Sequence, residues 1–64
     1  MKVKYDSQQD ILYLQLRKEQ IFESDEDRNG VIIDYSADGQ IVGIELLNAT
    51  KSVESPMKVE YEFA

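Results

Sequence analysis

Apolar and polar residues alternate with a period of two along most of this chain, which restricts it to a fold built on β-sheet. A period of two places successive side chains on opposite faces of a strand, so that one face can be buried. The pattern predicts a mainly β protein, all-β or α+β, in the form of a small antiparallel β-meander of four to five strands. The segments that carry it are residues 2–5, 11–16, 31–35, 40–46 and 58–63.

Polar segments between these stretches indicate where the chain turns. Residues 6–10 form a polar turn, and residues 36–39 (Ser-Ala-Asp-Gly) are the clearest hairpin turn, because their glycine can adopt positive φ without steric cost. We expect residues 23–30 to be an acidic loop, with Ile21 and Phe22 just before it as a short extra strand.

The later part of the chain carries three weaker signals. Gly43 lies inside a strand pattern and predicts a bulge or a close backbone approach. Residues 48–53 predict at most a short helical segment, which Pro56 prevents from continuing. The alternation over residues 58–63 predicts a last strand, with an arm that joins a neighbouring chain as the alternative.

The length of 64 residues allows one domain, residues 1–64, with a small core. A chain without cysteine has no disulfide, and without cysteine and histidine it has no ordinary zinc site. The segments 11–16 and 31–35 are apolar on both faces, which exceeds what one thin sheet can hide. We therefore expect a homo-dimer, two-fold symmetric, or a higher homo-oligomer.

The charge balance argues against several classes of partner. Seven Lys and Arg against thirteen Asp and Glu give a net charge of −6 and a pI near 4.4. This charge disfavours nucleic acid and anionic membrane surfaces. With no apolar run of membrane-spanning length and no signal-like segment, we expect a cytoplasmic protein. A nucleic-acid face would require the basic residues outside the acidic middle of the chain, namely Lys2, Lys4, Arg17, Lys18 and Lys58. We interpret them instead as charges that protect exposed strand edges against aggregation.

One acidic motif matches the opening of a calcium-binding loop. Asp25, Asp27 and Asn29 alternate before a glycine, as oxygen ligands around a hard cation do. The twelfth position of such a loop requires a bidentate Glu, and here it is Ser36, which cannot supply a carboxylate. We interpret the motif as a solvated acidic loop, and the three residues remain the candidate metal ligands.

The sequence contains few residues suited to catalysis. The absence of histidine and cysteine removes the usual general base and the thiolate nucleophile. Asp34, Asp38 and Glu45 come from one hairpin and would suit carboxylate chemistry only beside a cleft. Ser52 follows Lys51 directly, a poor arrangement for a serine–lysine pair. The four tyrosines are read as packing residues rather than a base-stacking platform: Tyr5, Tyr13, Tyr35 and Tyr61.

Four blocks of this sequence occur together: Tyr5-Asp6, residues 10–14 (DILYL), residues 30–35 (GVIIDY) and residues 38–49 (DGQIVGIELLNA). Together they resemble the domain of unknown function 2283 family (DUF2283), a family of small bacterial and archaeal proteins. It covers about residues 1–50, departs from the family pattern at Ser36, and leaves the tail unsupported. It implies a compact, mostly antiparallel β domain and no assigned activity. Genomic neighbours of some members imply an antitoxin or partner-binding role.

We therefore expect no enzyme and no cofactor. The expected function is a protein-interaction module that self-associates and acts as an antitoxin-like partner of a small basic protein, since acidic charge steers association with such a protein. The alternatives are a calcium-binding protein that uses the acidic loop, and a small oligomeric enzyme that uses carboxylates.

Overall fold

Five antiparallel strands form a single sheet, which a short helix follows. The computed structural model describes residues 1–64, and the sheet order is β1-β2-β5-β4-β3. The mainly β antiparallel fold that the alternation predicts is confirmed. The elements are β1 (Lys2–Asp6), β2 (Ile11–Gln15), β3 (Glu23–Arg28), β4 (Val31–Tyr35), β5 (Ile41–Leu47) and α1 (Ala49–Ser52).

The sheet consists of two sequential units that meet through one long-range pairing. β1 and β2 form a hairpin, and β3, β4 and β5 form a three-stranded meander. β2 then pairs with β5, with Ile11 opposite Leu47 and Gln15 opposite Gly43. β2 and β5 are thus internal strands, whereas β1 and β3 are the two edges of the sheet.

The hairpin turn that the sequence places at residues 36–39 is confirmed. Gly39 has a φ of 84°, and its N–H donates to the carbonyl oxygen of Ser36 at 3.0 Å. The Ser36 N–H donates to the carbonyl oxygen of Gln40 at 2.9 Å, which closes the turn. The polar turn at residues 6–10 is held by Asp6, whose carboxylate accepts the N–H groups of Gln8 and Gln9 at 3.0 Å each.

The expectation of an acidic loop over residues 23–30 is wrong. Residues Glu23–Arg28 form β3, and only Asn29 and Gly30 turn the chain into β4. The short extra strand expected at Ile21 and Phe22 is also wrong, because neither residue lies in a strand and β3 begins at Glu23. β3 is an edge strand with all six residues exposed, so only its backbone must pair with β4. An acidic composition is compatible with such a strand because its carboxylates stay in water.

The chain after β5 agrees with one prediction and contradicts another. The short helical segment is confirmed as α1, whose four residues are far too few to cross a bilayer. The predicted last strand at residues 58–63 is wrong, because these residues pair with no strand. The physical reason is that alternation gives a strand only where a partner strand supplies backbone hydrogen bonds, and the segment lies along neither edge of its own sheet.

The two faces of the sheet differ in polarity. The apolar face contains two rows of opposed side chains, Val3-Leu14-Ile44-Ile33 and Tyr5-Leu12-Leu46-Val31. The polar face contains the rows Lys4-Tyr13-Glu45-Ile32 and Lys2-Gln15-Gly43-Asp34. Leu12 and Val42 are the buried apolar side chains of the sheet, and Ala49 of α1 is the third buried apolar residue. The core is therefore small and lies on the apolar face.

Gly43 is required because the Tyr13 ring lies over it. A Cβ built on Gly43 would lie 2.8 Å from Cε1 and Cζ of that ring, closer than any Cβ contact tolerates. The backbone is also irregular here, since the β4–β5 register shifts between Asp34 and Tyr35. The close approach and the bulge that a glycine inside a strand predicts are both present.

Replacing Gly43 by alanine should therefore destabilise the fold by roughly 1 kcal/mol, because the Tyr13 ring must move. In a Tyr13→Leu background the same Gly43→Ala change should be stabilising, since alanine is better than glycine in a strand by roughly 0.5–1 kcal/mol once the clash is absent. Urea denaturation of the four proteins of this cycle measures the coupling. Equal effects of Gly43→Ala on the free energy of unfolding in both backgrounds would show that the Tyr13 ring is not what requires glycine at position 43.

Candidate functional site

A cavity of about 410 Å³ opens on the polar face of the sheet. Lys4, Tyr13 and Glu45 come from three adjacent strands, and Ile21 of the β2–β3 connection closes one side. Asp34 contributes the buried wall, with only 2% of its surface exposed. These side chains meet because they occupy neighbouring rows of one face.

Asp34 is held by a neighbour that sequence reasoning did not select. The Ser24 hydroxyl donates to Asp34 Oδ1 at 2.5 Å, across the β3–β4 ladder. A hydrogen bond to a carboxylate offsets part of the cost of removing that carboxylate from water. The pairing depends on the β3–β4 register, so a reading of residues 23–30 as a loop could not reveal it.

Tyr13 acts as a hydrogen-bond donor rather than a base. Burial raises the pKa of its hydroxyl, and the negative charges of Asp34 and Glu45 raise it further. The phenol therefore stays protonated across the physiological pH range and can donate a hydrogen bond. The cavity has the chemistry to bind a polar or cationic group.

The three carboxylates of the β4–β5 hairpin are not brought to one place. Asp34 and Glu45 line the cavity, whereas Asp38 lies in the hairpin turn. There Asp38 accepts a hydrogen bond from the Ser36 hydroxyl, and this bond lowers the pKa of the Asp38 carboxyl. Asp38 therefore braces the turn.

The candidate calcium ligands do not share a loop. Asp25 and Asp27 lie in β3, where the register shifts between Glu26 and Arg28, and Asn29 lies in the turn. The Glu26 carboxylate accepts the Gly30 N–H at 3.0 Å. No group of three or more acidic side chains is arranged to hold a metal ion. Only Asn29 and Gly30 of the motif turn the chain between β3 and β4.

The other candidates lie in separate elements. Lys2 and Lys4 belong to the edge strand β1, in agreement with their interpretation as edge residues. Lys58 lies in the tail. Arg17 forms an ion pair with Glu19 in the β2–β3 connection. Lys51 and Ser52 are consecutive residues of α1, where successive side chains point in different directions.

Asp10 joins β1 to α1, a role that the sequence did not reveal. Its carboxylate accepts the Tyr5 hydroxyl at 2.7 Å, the Thr50 hydroxyl at 2.7 Å and the Thr50 N–H at 3.1 Å. Its carbonyl oxygen accepts the Ala49 N–H at 2.9 Å. Asp10 therefore caps α1, whose own N-cap residue Asn48 makes no side-chain cap bond.

The comparison with known protein families agrees with this architecture. The family described as protein of unknown function (DUF2283) matches residues 2–49, three quarters of the chain. The chain belongs to this family. The matched region contains all five strands and ends at Ala49, so that most of α1 and the tail lie outside it. No curated protein and no solved structure matches the chain.

The hydrogen bonds of Asp10 make a pH-dependent contribution to stability. The bonds from the Thr50 and Tyr5 hydroxyls hold the pKa of the Asp10 carboxyl below its ordinary value of 3.8. A lowered pKa in the folded state stabilises the protein above the unfolded value, and this stability is lost as the pH falls through the folded pKa. Asp10→Asn should therefore lower the melting temperature at pH 7, and its difference from the parent chain should shrink below pH 3.8.

Thermal denaturation followed by circular dichroism between pH 2 and 7 measures this difference. Asp25→Asn on the exposed edge strand β3 is the control and should leave the melting temperature nearly unchanged. A difference between Asp10→Asn and the parent chain that is constant over this pH range would show that the carboxylate charge is not involved.

Proposed function

We propose that this protein is a non-enzymatic protein-interaction module that self-associates through the apolar face of its sheet. The observation that carries the proposal is the exposed area of the chain. The monomer exposes 5303 Å², whereas a compact protein of its mass exposes about 4,200 Å². The excess of about 1,100 Å², to which the exposed tail residues Met57, Tyr61 and Phe63 contribute, exceeds the roughly 800 Å² that each partner buries in a standard interface.

The apolar face has the composition of an interface between two sheets. Its two apolar rows extend over four strands, yet α1 is the only helix available to cover them. Val3 and Leu16 are each 38% exposed, and most of their apolar neighbours are half-buried. Two such faces can pack about 10 Å apart, as in a β-sandwich, which removes the apolar surface from water.

Sedimentation equilibrium at micromolar concentration tests this proposal. The expected species has a mass of about 15 kDa, twice the 7.4 kDa of the chain, or a higher multiple. Association should persist at high salt, because burial of apolar surface is not screened by ions. A 7.4 kDa species at every concentration up to the millimolar range would overturn it.

A second function, binding of a small basic protein in the manner of an antitoxin, is supported by the acidic edge strand β3. Four of its six residues are acidic and all six are exposed. Only one side of β3 is paired, with β4, so its outer backbone groups are free to accept another strand. An extended basic segment would gain main-chain hydrogen bonds and opposite charges along this edge.

A labelled peptide of alternating Lys and Val residues probes the acidic edge. The parent chain should bind it, and binding should weaken with rising salt. Asp25→Lys/Asp27→Lys should abolish binding of the peptide. Glu60→Lys/Glu62→Lys in the tail is the control, because it changes the net charge by the same amount, from −6 to −2, and it should retain binding. Fluorescence anisotropy measures the binding. An equal loss of peptide binding in both variants would show that net charge alone determines binding and would contradict a role for β3.

A further inference from the structure

We propose that residues 57–63, the C-terminal arm, add to the open edge of β1 in a second copy of the chain, so that two copies exchange arms. This inference rests on the self-association proposed above and adds to the packing of the apolar faces a second contact, between the arm and the β1 edge. The arm is an extended strand only when it is bound to the second copy.

The arm has the pattern of a strand without the contacts of one. Its apolar side chains Met57, Val59, Tyr61 and Phe63 are between 63% and 90% exposed, and they alternate with charged residues. Only one backbone hydrogen bond is formed at its start, from the Lys58 N–H to the carbonyl oxygen of Ser55 at 3.0 Å. Four large apolar residues at alternating positions require a partner surface, and the chain's own sheet does not supply it.

β1 has the complementary pattern. It pairs with β2 on one side and has an open edge on the other, where its outward N–H and C=O groups can pair with a further strand. Val3 and Tyr5 lie on the apolar face, and Lys2 and Lys4 lie on the polar face. An added strand must therefore present apolar residues to one face and acidic residues to the other.

The arm meets both requirements in a single register. If Tyr61 is opposite Val3 in an antiparallel pairing, Glu62 is opposite Lys2, Glu60 is opposite Lys4 and Val59 is opposite Tyr5. A parallel pairing through the same Tyr61–Val3 contact again places both Glu residues opposite the two Lys residues. Cross-strand pairs of opposite charge and of apolar side chains both stabilise a sheet.

Pairing at the alternative edges is disfavoured by charge. β3 presents four acidic residues, which would repel Glu60 and Glu62. Pairing of β1 with β1 of the second copy would place Lys2 and Lys4 among other lysines. Exchange of two arms gives a closed two-fold dimer with two equivalent contacts, which ends the assembly at two chains.

Charge reversal in the full-length chain tests the exchange. Lys2→Glu/Lys4→Glu alone and Glu60→Lys/Glu62→Lys alone should each weaken the dimer by about tenfold, because two attractive pairs become repulsive. The chain with all four changes should dimerise as the parent does. The decisive sample is an equal mixture of the two double variants, since a heterodimer contains an acidic arm on a basic β1 and a basic arm on an acidic β1.

The net charge provides matched controls for these variants. Glu60→Lys/Glu62→Lys reduces the net charge from −6 to −2 and would strengthen association if general repulsion were the determinant. Asp27→Lys/Glu54→Lys has the same net charge with the changes outside β1 and the arm. Lys18→Glu/Arg28→Glu matches the −10 of the β1 variant. Neither control should weaken the dimer.

Sedimentation equilibrium of each sample separates the outcomes. Recovery of a tight dimer in the mixture supports exchange between copies. Recovery in the fourfold variant but not in the mixture would show that the arm lies on its own β1, and would overturn the exchange. Unchanged dimerisation in both double variants would place self-association on another surface and overturn the role of the arm alone. A parent chain that stays monomeric would overturn both proposals.

Discussion

The pairing of β2 with β5 determines the rest of this structure. It joins the N-terminal hairpin to the three-stranded unit. Closing the loop between β2 and β5 costs conformational entropy, which the hydrogen bonds and side-chain contacts of the β2–β5 ladder must offset. The same pairing brings Tyr13 beside Glu45 and over Gly43, which builds one wall of the polar cavity. It also brings Asp10 to the start of α1, where the carboxylate holds Thr50.

The sheet has one layer, and its two faces carry different kinds of side chain. The polar face buries Asp34 and provides it with the Ser24 hydroxyl, since a carboxylate away from water requires a hydrogen bond. The apolar face has more surface than a four-residue helix can cover. The self-association proposed above would remove that surface from water.

Much of the fold was predictable, because alternation and turn chemistry are local signals. The strands near residues 11–16, 31–35 and 40–46, the turn that ends at Gly39 and the short α1 follow from neighbouring residues. The strand order, the bonds between Asp10 and Thr50 and the burial of Asp34 depend on residues distant in sequence. β3 escaped detection because an edge strand pairs through its backbone and its acidic side chains show no alternation.

The placement of charge on the two outer strands has a consequence for encounters in solution. Lys2 and Lys4 lie at one lateral edge of the sheet, and Glu23, Asp25, Glu26 and Asp27 lie at the other. The sheet thus has an electric dipole that runs across its strands. The field of an approaching cationic molecule exerts a torque on this dipole, so that the protein turns its acidic strand toward the cation before contact.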